Sequence, residues 1–159
     1  ETFDRNALKN ALDSLAVFKL PIRITEFNMP GQNSKYYKNR ALKMTPQEEE
    51  LNAKEIVDYY KICFSHPAVE GIVMWGFWEG DNWIPVSSLY RRDWSPAPAA
   101  KAYHDLIFSE WWTKVSGTAD KDGTFSTPAF YGKYLITVNG ISKEVYLSSE
   151  NGKLVVDLK

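Results

Sequence analysis

Residues 6–19 place Leu8, Ala11, Leu12, Leu15 and Phe18 at three- and four-residue spacing, a single apolar stripe that predicts an amphipathic helix ended by Leu20-Pro21. The short β-branched run Ile22-Arg23-Ile24-Thr25 follows and predicts a strand whose C-terminal end presents Glu26. From Met29-Pro30-Gly31 to Lys43 the chain is polar and without period, which makes it a long loop after a strand. Thr45, Pro46 and Glu48 then occupy the N-cap, first-turn and capping-box positions of a second helix. Its expected inward face is Ala53, Ile56, Val57, Tyr60, Cys63 and Phe64, and Ser65-His66-Pro67 stops it. The unbroken apolar run Ile72-Val73-Met74-Trp75 predicts a strand buried on both faces of a parallel sheet. Helix, strand, loop, helix, strand is an α/β rhythm.

After an aromatic loop, Pro98 opens a further helix with Ala99, Ala102, Tyr103, Leu106 and Ile107 facing inward, running to Trp111-Trp112. The pattern then switches to short alternating runs, Tyr134-Ile136-Val138, Val145-Leu147 and Leu154-Val156-Leu158. Asp122-Gly123, Asn139-Gly140 and Asn151-Gly152 are hairpin-turn pairs among them. The expectation is a chain of two parts: an α/β portion over residues 1–112 and a small antiparallel β module of four to five strands over 113–159.

Composition narrows the choice of partner. Hydrophobic residues make up 44% and charged residues 25%, the balance of a chain that folds in water rather than in a bilayer, so no membrane partner is expected. A formal charge of −1 with scattered basic residues leaves no footprint for nucleic acid. A neutral ligand fits better, and six Trp, nine Tyr and eight Phe supply flat apolar faces for one. Cys63 is the single cysteine and falls on a helix's apolar face. The chain opens at Glu1 without an initiator Met or signal peptide, which reads as a truncated or processed product.

Parallel sheets carry their functional groups beyond the C-terminal strand ends. One such end holds Glu26. The other leads into Trp75-Gly76-Phe77-Trp78-Glu79-Gly80-Asp81-Asn82-Trp83, three indoles with two acids between them. Indoles that stack on ring faces, with carboxylates for hydroxyls and the glycosidic bond, suit a sugar site. His66 and His104 are single and far apart, so no metal or other cofactor is implied. Glu48-Glu49-Glu50 complements a helix dipole, and Arg91-Arg92 reads as a source of structural salt links.

Ile24-Thr25-Glu26-Phe27-Asn28 resembles the segment of glycoside hydrolase family 10 xylanases in which Ile-Thr-Glu ends the seventh strand of a (β/α)8 barrel. Val69-Glu70-Gly71-Ile72-Val73-Met74-Trp75-Gly76, with Trp83 eight positions beyond Trp75, resembles that family's eighth strand. The passage Ser95-Pro96-Ala97-Pro98-Ala99 resembles its approach to the last helix. The resemblance runs to about Trp112. It implies the last two strands and helices of a TIM barrel followed by a β extension. It also implies a retaining endo-1,4-β-xylanase as the parent protein, with Glu26 as nucleophile and Trp75 and Trp83 closing over the sugar on the non-reducing side of the cleaved bond; Trp78, Glu79 and Asn28 complete the expected substrate-binding set.

Phe27 and Asn28 stand where the family usually has Leu and Asp, and Glu79 where Asp is common. The family's acid/base Glu has no counterpart here, so the chain alone is expected to be inactive. Xylan or a xylo-oligosaccharide, and the missing N-terminal barrel portion or a second copy, are the implied partners. The implied location is extracellular or periplasmic. The alternative reading is a non-catalytic carbohydrate-binding module that uses the loop Trp residues.

Overall fold

The computed structural model describes residues 3–157. Two compact units follow one another, residues 1–106 and 107–159. In the first, α1 (Arg5–Ala16) leads to β1 (Ile22–Phe27), a short α2 (Lys35–Lys38), the long α3 (Pro46–Ser65), β2 (Val69–Met74), a 3-10 turn (Pro85–Ser87) and α4 (Pro98–Asp105). A π turn, Leu106–Glu110, continues from α4. The two strands pair in parallel. A parallel pair needs a long crossover, which the loop after β1 and α3 supply.

Local chemistry sets the helix ends. Asp4 caps α1 by accepting from the backbone N–H groups of Asn6 and Ala7 at 2.9 and 3.0 Å. α1 ends at Ala16, three residues before the expected end at Lys19, and Lys19 turns the chain away at φ 56°. Thr45 and Glu48 form the reciprocal capping box that their spacing predicts, with Pro46 at the start of α3. Such a cap contributes about 1 kcal/mol.

The core lies between α3, α4 and one face of the β1–β2 pair. Ala53, Ile56, Tyr60 and Cys63 of α3 are buried with Phe27, Ala99, Ala100 and Leu106. Phe27 packs its ring on Tyr59 and Tyr60, with centroids 4.4 and 5.6 Å away. Val57 is only half-buried and Phe64 is exposed, whereas α3 buries Asn52 and Glu55 instead.

Two expectations about burial are corrected. The strand β2 is covered on one face only: Val73 is 58% and Trp75 49% exposed. The stripe of α1 buries Leu12 but leaves Leu15 and Phe18 open. The reason is shared, because α1 and the sheet contact α3 and each other, and no further layer covers their remaining faces among the described residues.

In the second unit, β3 (Gly132–Val138) and β4 (Ile141–Leu147) form an antiparallel hairpin in unbroken register from Gly132↔Leu147 to Val138↔Ile141. Asn139 and Gly140 make its turn, both at positive φ (49° and 82°), the conformation a two-residue hairpin loop requires. The expected four to five strands are corrected to two among the described residues. Asp122-Gly123 makes a turn closed by Asp120, whose carboxylate accepts from the N–H groups of Asp122 and Thr124, with no strand on either side. Leu154–Val156 is irregular, and Leu158 lies outside the described residues.

Candidate functional site

Glu26 reaches the open side of the sheet through an irregularity in strand pairing. Ile24 pairs with Ile72 and Phe27 with Met74, so three steps on β1 match two on β2. The extra residue returns Phe27 to the covered side and leaves both Thr25 and Glu26 exposed. On β2 the exposed side chains near the tip are Val73 and Trp75. The two strand tips are tied directly, since Trp75 donates its backbone N–H to the Phe27 carbonyl at 2.9 Å.

Asn28 completes the junction. Its amide N–H₂ donates to the Trp75 carbonyl at 2.8 Å and to Ser87 Oγ at 2.9 Å, and its Oδ1 accepts the Trp83 indole N–H at 2.8 Å. One side chain therefore fixes the turn after β2 and the orientation of Trp83. Tyr37, on α2, meets the Trp83 ring edge-on at 5.5 Å between centroids. Beneath this, the buried Asn82 amide donates to the Gly76 carbonyl, Ser87 Oγ and Ser88 Oγ at 3.3, 3.2 and 2.8 Å, while its Oδ1 accepts from the Ile84 N–H. Gly76, at φ 79°, leaves room for that amide.

Trp78 and Glu79 belong to a second cluster. The Trp78 indole stacks on Trp94 at 5.2 Å and 11° and donates to the Arg92 carbonyl at 3.3 Å. Glu79 is mostly buried; its carboxylate pairs with Lys43 and accepts the Arg92 backbone N–H at 3.1 Å. The Lys43 hydrogen bond, followed by the Arg92 N–H, holds its pKa below the usual carboxylate value against the opposing effect of burial. With both oxygens engaged, Glu79 braces the loop against the long segment after β1.

The side chains expected at the site thus divide. Glu26, Asn28, Trp75 and Trp83 gather at the strand tips, and Trp78 with Glu79 sits among Tyr90, Arg92 and Trp94. Arg91 makes a two-pronged pair with Glu49, both contacts at 2.8 Å. His66 faces Asp13 at 3.3 Å, and His104 faces Tyr90 at 3.2 Å. Sequence reasoning passed over Tyr37, Asn82 and Ser87. They lie in segments without period, where only the density of small polar residues after β2 was a signal.

Two concavities lie elsewhere in this unit. One of about 640 Å³ separates α3 from α4, with Glu50, Asp58, Lys54 and Lys101 on its walls; one of about 300 Å³ reaches Glu79 and Tyr90. Neither is lined by Glu26, Trp75 or Trp83. Within the strand-tip cluster Glu26 and Trp75 are exposed and Trp83 is half-buried.

The sequence profile of glycosyl hydrolase family 10 matches residues 1–106, the whole of the unit that carries the strand-tip cluster. The chain belongs to glycosyl hydrolase family 10. The anti-sigma-I factor RsgI6 of Acetivibrio thermocellus is 38% identical over 147 residues, 92% of this chain and 17% of that protein. Endo-1,4-beta-xylanase 1 of Arabidopsis thaliana is 29% identical over 129 residues, 81% of this chain and 12% of its own length. The chain therefore spans less than a fifth of the length of either relative. A mutant xylanase10C of Cellvibrio japonicus, solved with xylopentaose, superimposes with a TM-score of 0.54 at 17% identity, over 66% of this chain and 24% of that one. That last likeness is one of fold.

Proposed function

We propose that residues 1–112 are the C-terminal part of the catalytic barrel of a retaining endo-1,4-β-xylanase, with Glu26 as nucleophile, Trp75 and Trp83 on the non-reducing side of the cleaved bond, and Asn28 acting by orienting Trp83. The observation that carries this is the junction of two parallel strand tips. The exposed Glu26 precedes Phe27, whose carbonyl bonds Trp75 at the start of the turn after β2, and Asn28 orients the Trp83 indole of that turn. A carboxylate at a strand's C-terminal end is where barrel chemistry resides.

In this reading Glu26 attacks the anomeric carbon and forms a glycosyl-enzyme bond. A second carboxylic acid about 5–5.5 Å away protonates the leaving glycosidic oxygen, then takes the proton from the water that releases the sugar. No residue of this chain is assigned that second role, so hydrolysis requires the portion of the barrel that carries it. The open side of the β1–β2 pair, the exposed Leu15 of α1 and Phe18 just beyond that helix are the surfaces that portion would cover. Trp78 and Glu79 act in this reading by holding the loop, because their polar atoms are committed to Arg92 and Lys43. A polymeric substrate is met outside the cytoplasm, so this reading carries an extracellular or periplasmic location with it.

The test is Glu26→Gln in a polypeptide that carries residues 1–159 within a complete family 10 domain. Release of reducing sugar from xylan should fall on the order of 10³-fold or more. Unchanged release would remove Glu26 from the mechanism.

A second reading is sugar recognition without turnover. It is favoured by the RsgI6 relationship, which covers most of this chain, the second unit included, in a protein named for regulation rather than hydrolysis. Calorimetry of the chain with xylohexaose tests it. Binding that is lost in Trp83→Ala supports recognition, and the absence of heat opposes it.

A further inference from the structure

Trp94 occupies the left-handed region, at φ 66°, where a bulky side chain is disfavoured and Asn or Gly sits comfortably. Its loop is pinned from every side. Trp94 donates its N–H to the Arg91 carbonyl and Arg91 donates to the Ser95 carbonyl, both at 2.9 Å. Ser95 donates from N and Oγ to Asp93 at 3.0 and 2.6 Å. The Arg91 guanidinium holds the Pro96 carbonyl at 2.7 Å and the Glu49 carboxylate.

Packing does not account for this indole. Trp94 remains 57% exposed although Trp78 stacks on one face of its ring. Phe77, 54% exposed, lies 6.2 Å from it at 53°, extending the apolar surface. Trp78 itself is held by its bond to Arg92 and by Gly80, where a Cβ would meet the indole at 2.1 Å. A strained backbone that keeps a large ring in solvent is the signature of a surface built for a ligand.

We propose that Phe77 and Trp94 form a second stacking platform, outside the strand-tip cluster, for a pyranose ring of a neutral β-linked polysaccharide. The nearby charges are internally paired, Glu79 with Lys43 and Arg91 with Glu49, so the platform carries no net charge that selects an ion. Flat apolar rings suit the axial C–H face of a sugar, and exposed Arg92 and Asp93, the two residues before Trp94, offer donors and acceptors for its hydroxyls. Phe77 follows Trp75 by two positions, which sets the platform next along the same loop. A rigid platform also loses little conformational entropy when it is occupied. The inference rests on the sugar-binding side of the proposed function, and one titration separates the two.

The experiment is ¹⁵N-edited NMR of the chain titrated with xylohexaose, with the indole N–H signals of Trp75, Trp78, Trp83 and Trp94 assigned by Trp→Phe substitution. Saturable shifts of the Trp94 and Trp78 signals are expected. Trp94→Phe should keep binding at the platform within about threefold, read from Trp78, since a six-membered aromatic ring still stacks. Trp94→Asn should abolish the Trp78 shift and leave the melting temperature unchanged or raised, because Asn accepts the positive φ. Shifts at Trp75 or Trp83 with none at Trp78 or Trp94 would overturn the platform and leave the proposed function standing. Shifts at Trp78 and Trp94 alone would support the platform, and no shift anywhere would overturn it. A lowered melting temperature in Trp94→Asn would show the ring to be structural and would also overturn the platform.

Discussion

Trp83 donates its indole N–H to Asn28 Oδ1 at 2.8 Å, and through the rest of that amide the indole is coupled to the Trp75 carbonyl and Ser87. Two segments distant in sequence, the end of β1 and the loop after β2, meet at one half-buried side chain. A double-mutant cycle of Asn28→Ala and Trp83→Phe, measured by urea unfolding, should give a coupling of about 0.5–3 kcal/mol. Asn28→Ala alone should cost about 1–3 kcal/mol, because it leaves polar partners unsatisfied. Additive effects would mean that Asn28 does not orient the indole.

Gly76 is the hinge of the same site. At φ 79° any side chain is strained, and a Cβ there would lie 2.9 Å from the Asn82 side-chain carbon. Asn82 is buried and fully bonded, so it has nowhere to retreat. Gly76→Ala should lower stability by about 1–3 kcal/mol. Trp emission should also report a disturbed Trp83, and an unaltered melting curve would contradict the role given to this glycine.

The capping carboxylate of α3 should titrate far from its ordinary range. Glu48 bonds Lys35 and accepts the Thr45 N–H, and together these, with Lys35 the larger cause, lower its pKa to about 2. A depressed carboxylate contributes stability above its unfolded pKa, near 4.5, and loses it as pH falls toward the folded value. The wild-type advantage over Glu48→Gln should therefore be complete at neutral pH, shrink below about pH 4.5 and vanish near pH 2. Chemical-denaturation curves of both proteins across that window check this. An advantage independent of pH would assign the effect to something other than charge.

Glu55 should behave in the opposite sense. It is buried on α3 with one carboxyl oxygen lacking a partner, and desolvation raises its pKa. A raised carboxyl stabilises the fold below its unfolded pKa and costs stability as pH climbs through the folded value. Glu55→Gln should thus be neutral near pH 4 and stabilising at pH 8, read as a melting temperature that diverges upward from wild type. A decrease at pH 8 would show that the charge is satisfied.

The local rules in the sequence were decisive wherever a residue's role depended on its neighbours in the chain. Thr45, Pro46 and Glu48 announced the start of α3, and Asn139-Gly140 announced the β3–β4 turn. The Ile22-Arg23-Ile24-Thr25 run and the apolar run into Trp75 announced the parallel pair, and the motif around Glu26 announced the family. Burial was harder to read, because an apolar residue records what a fold is made to cover. Val73, Leu15 and Phe18 looked like core and are open, since no further layer covers them among the described residues.

The side-chain traffic of the loops was not legible. Asn28 donating backward to Trp75 and Glu79 reaching Lys43 join positions 47 and 36 residues apart, and no local pattern encodes such closures. The backbone irregularity that exposes Glu26 is equally silent in the sequence, as it arises from the pairing of two strands. In the second unit, turn pairs without flanking alternation did not make strands, so Asp122-Gly123 was over-read.

The most direct measurement is to trap the covalent glycosyl-enzyme that a retaining mechanism forms and to find which residue carries it. A polypeptide bearing this chain within a complete family 10 domain would be treated with a slow-turnover, xylose-based substrate and analysed by peptide mass spectrometry. The sugar should be found on the peptide that contains Glu26, and Glu26→Gln should remove it. Hydrolysis of xylan with the label on another residue, or with Glu26→Gln still trapping sugar, would contradict the account.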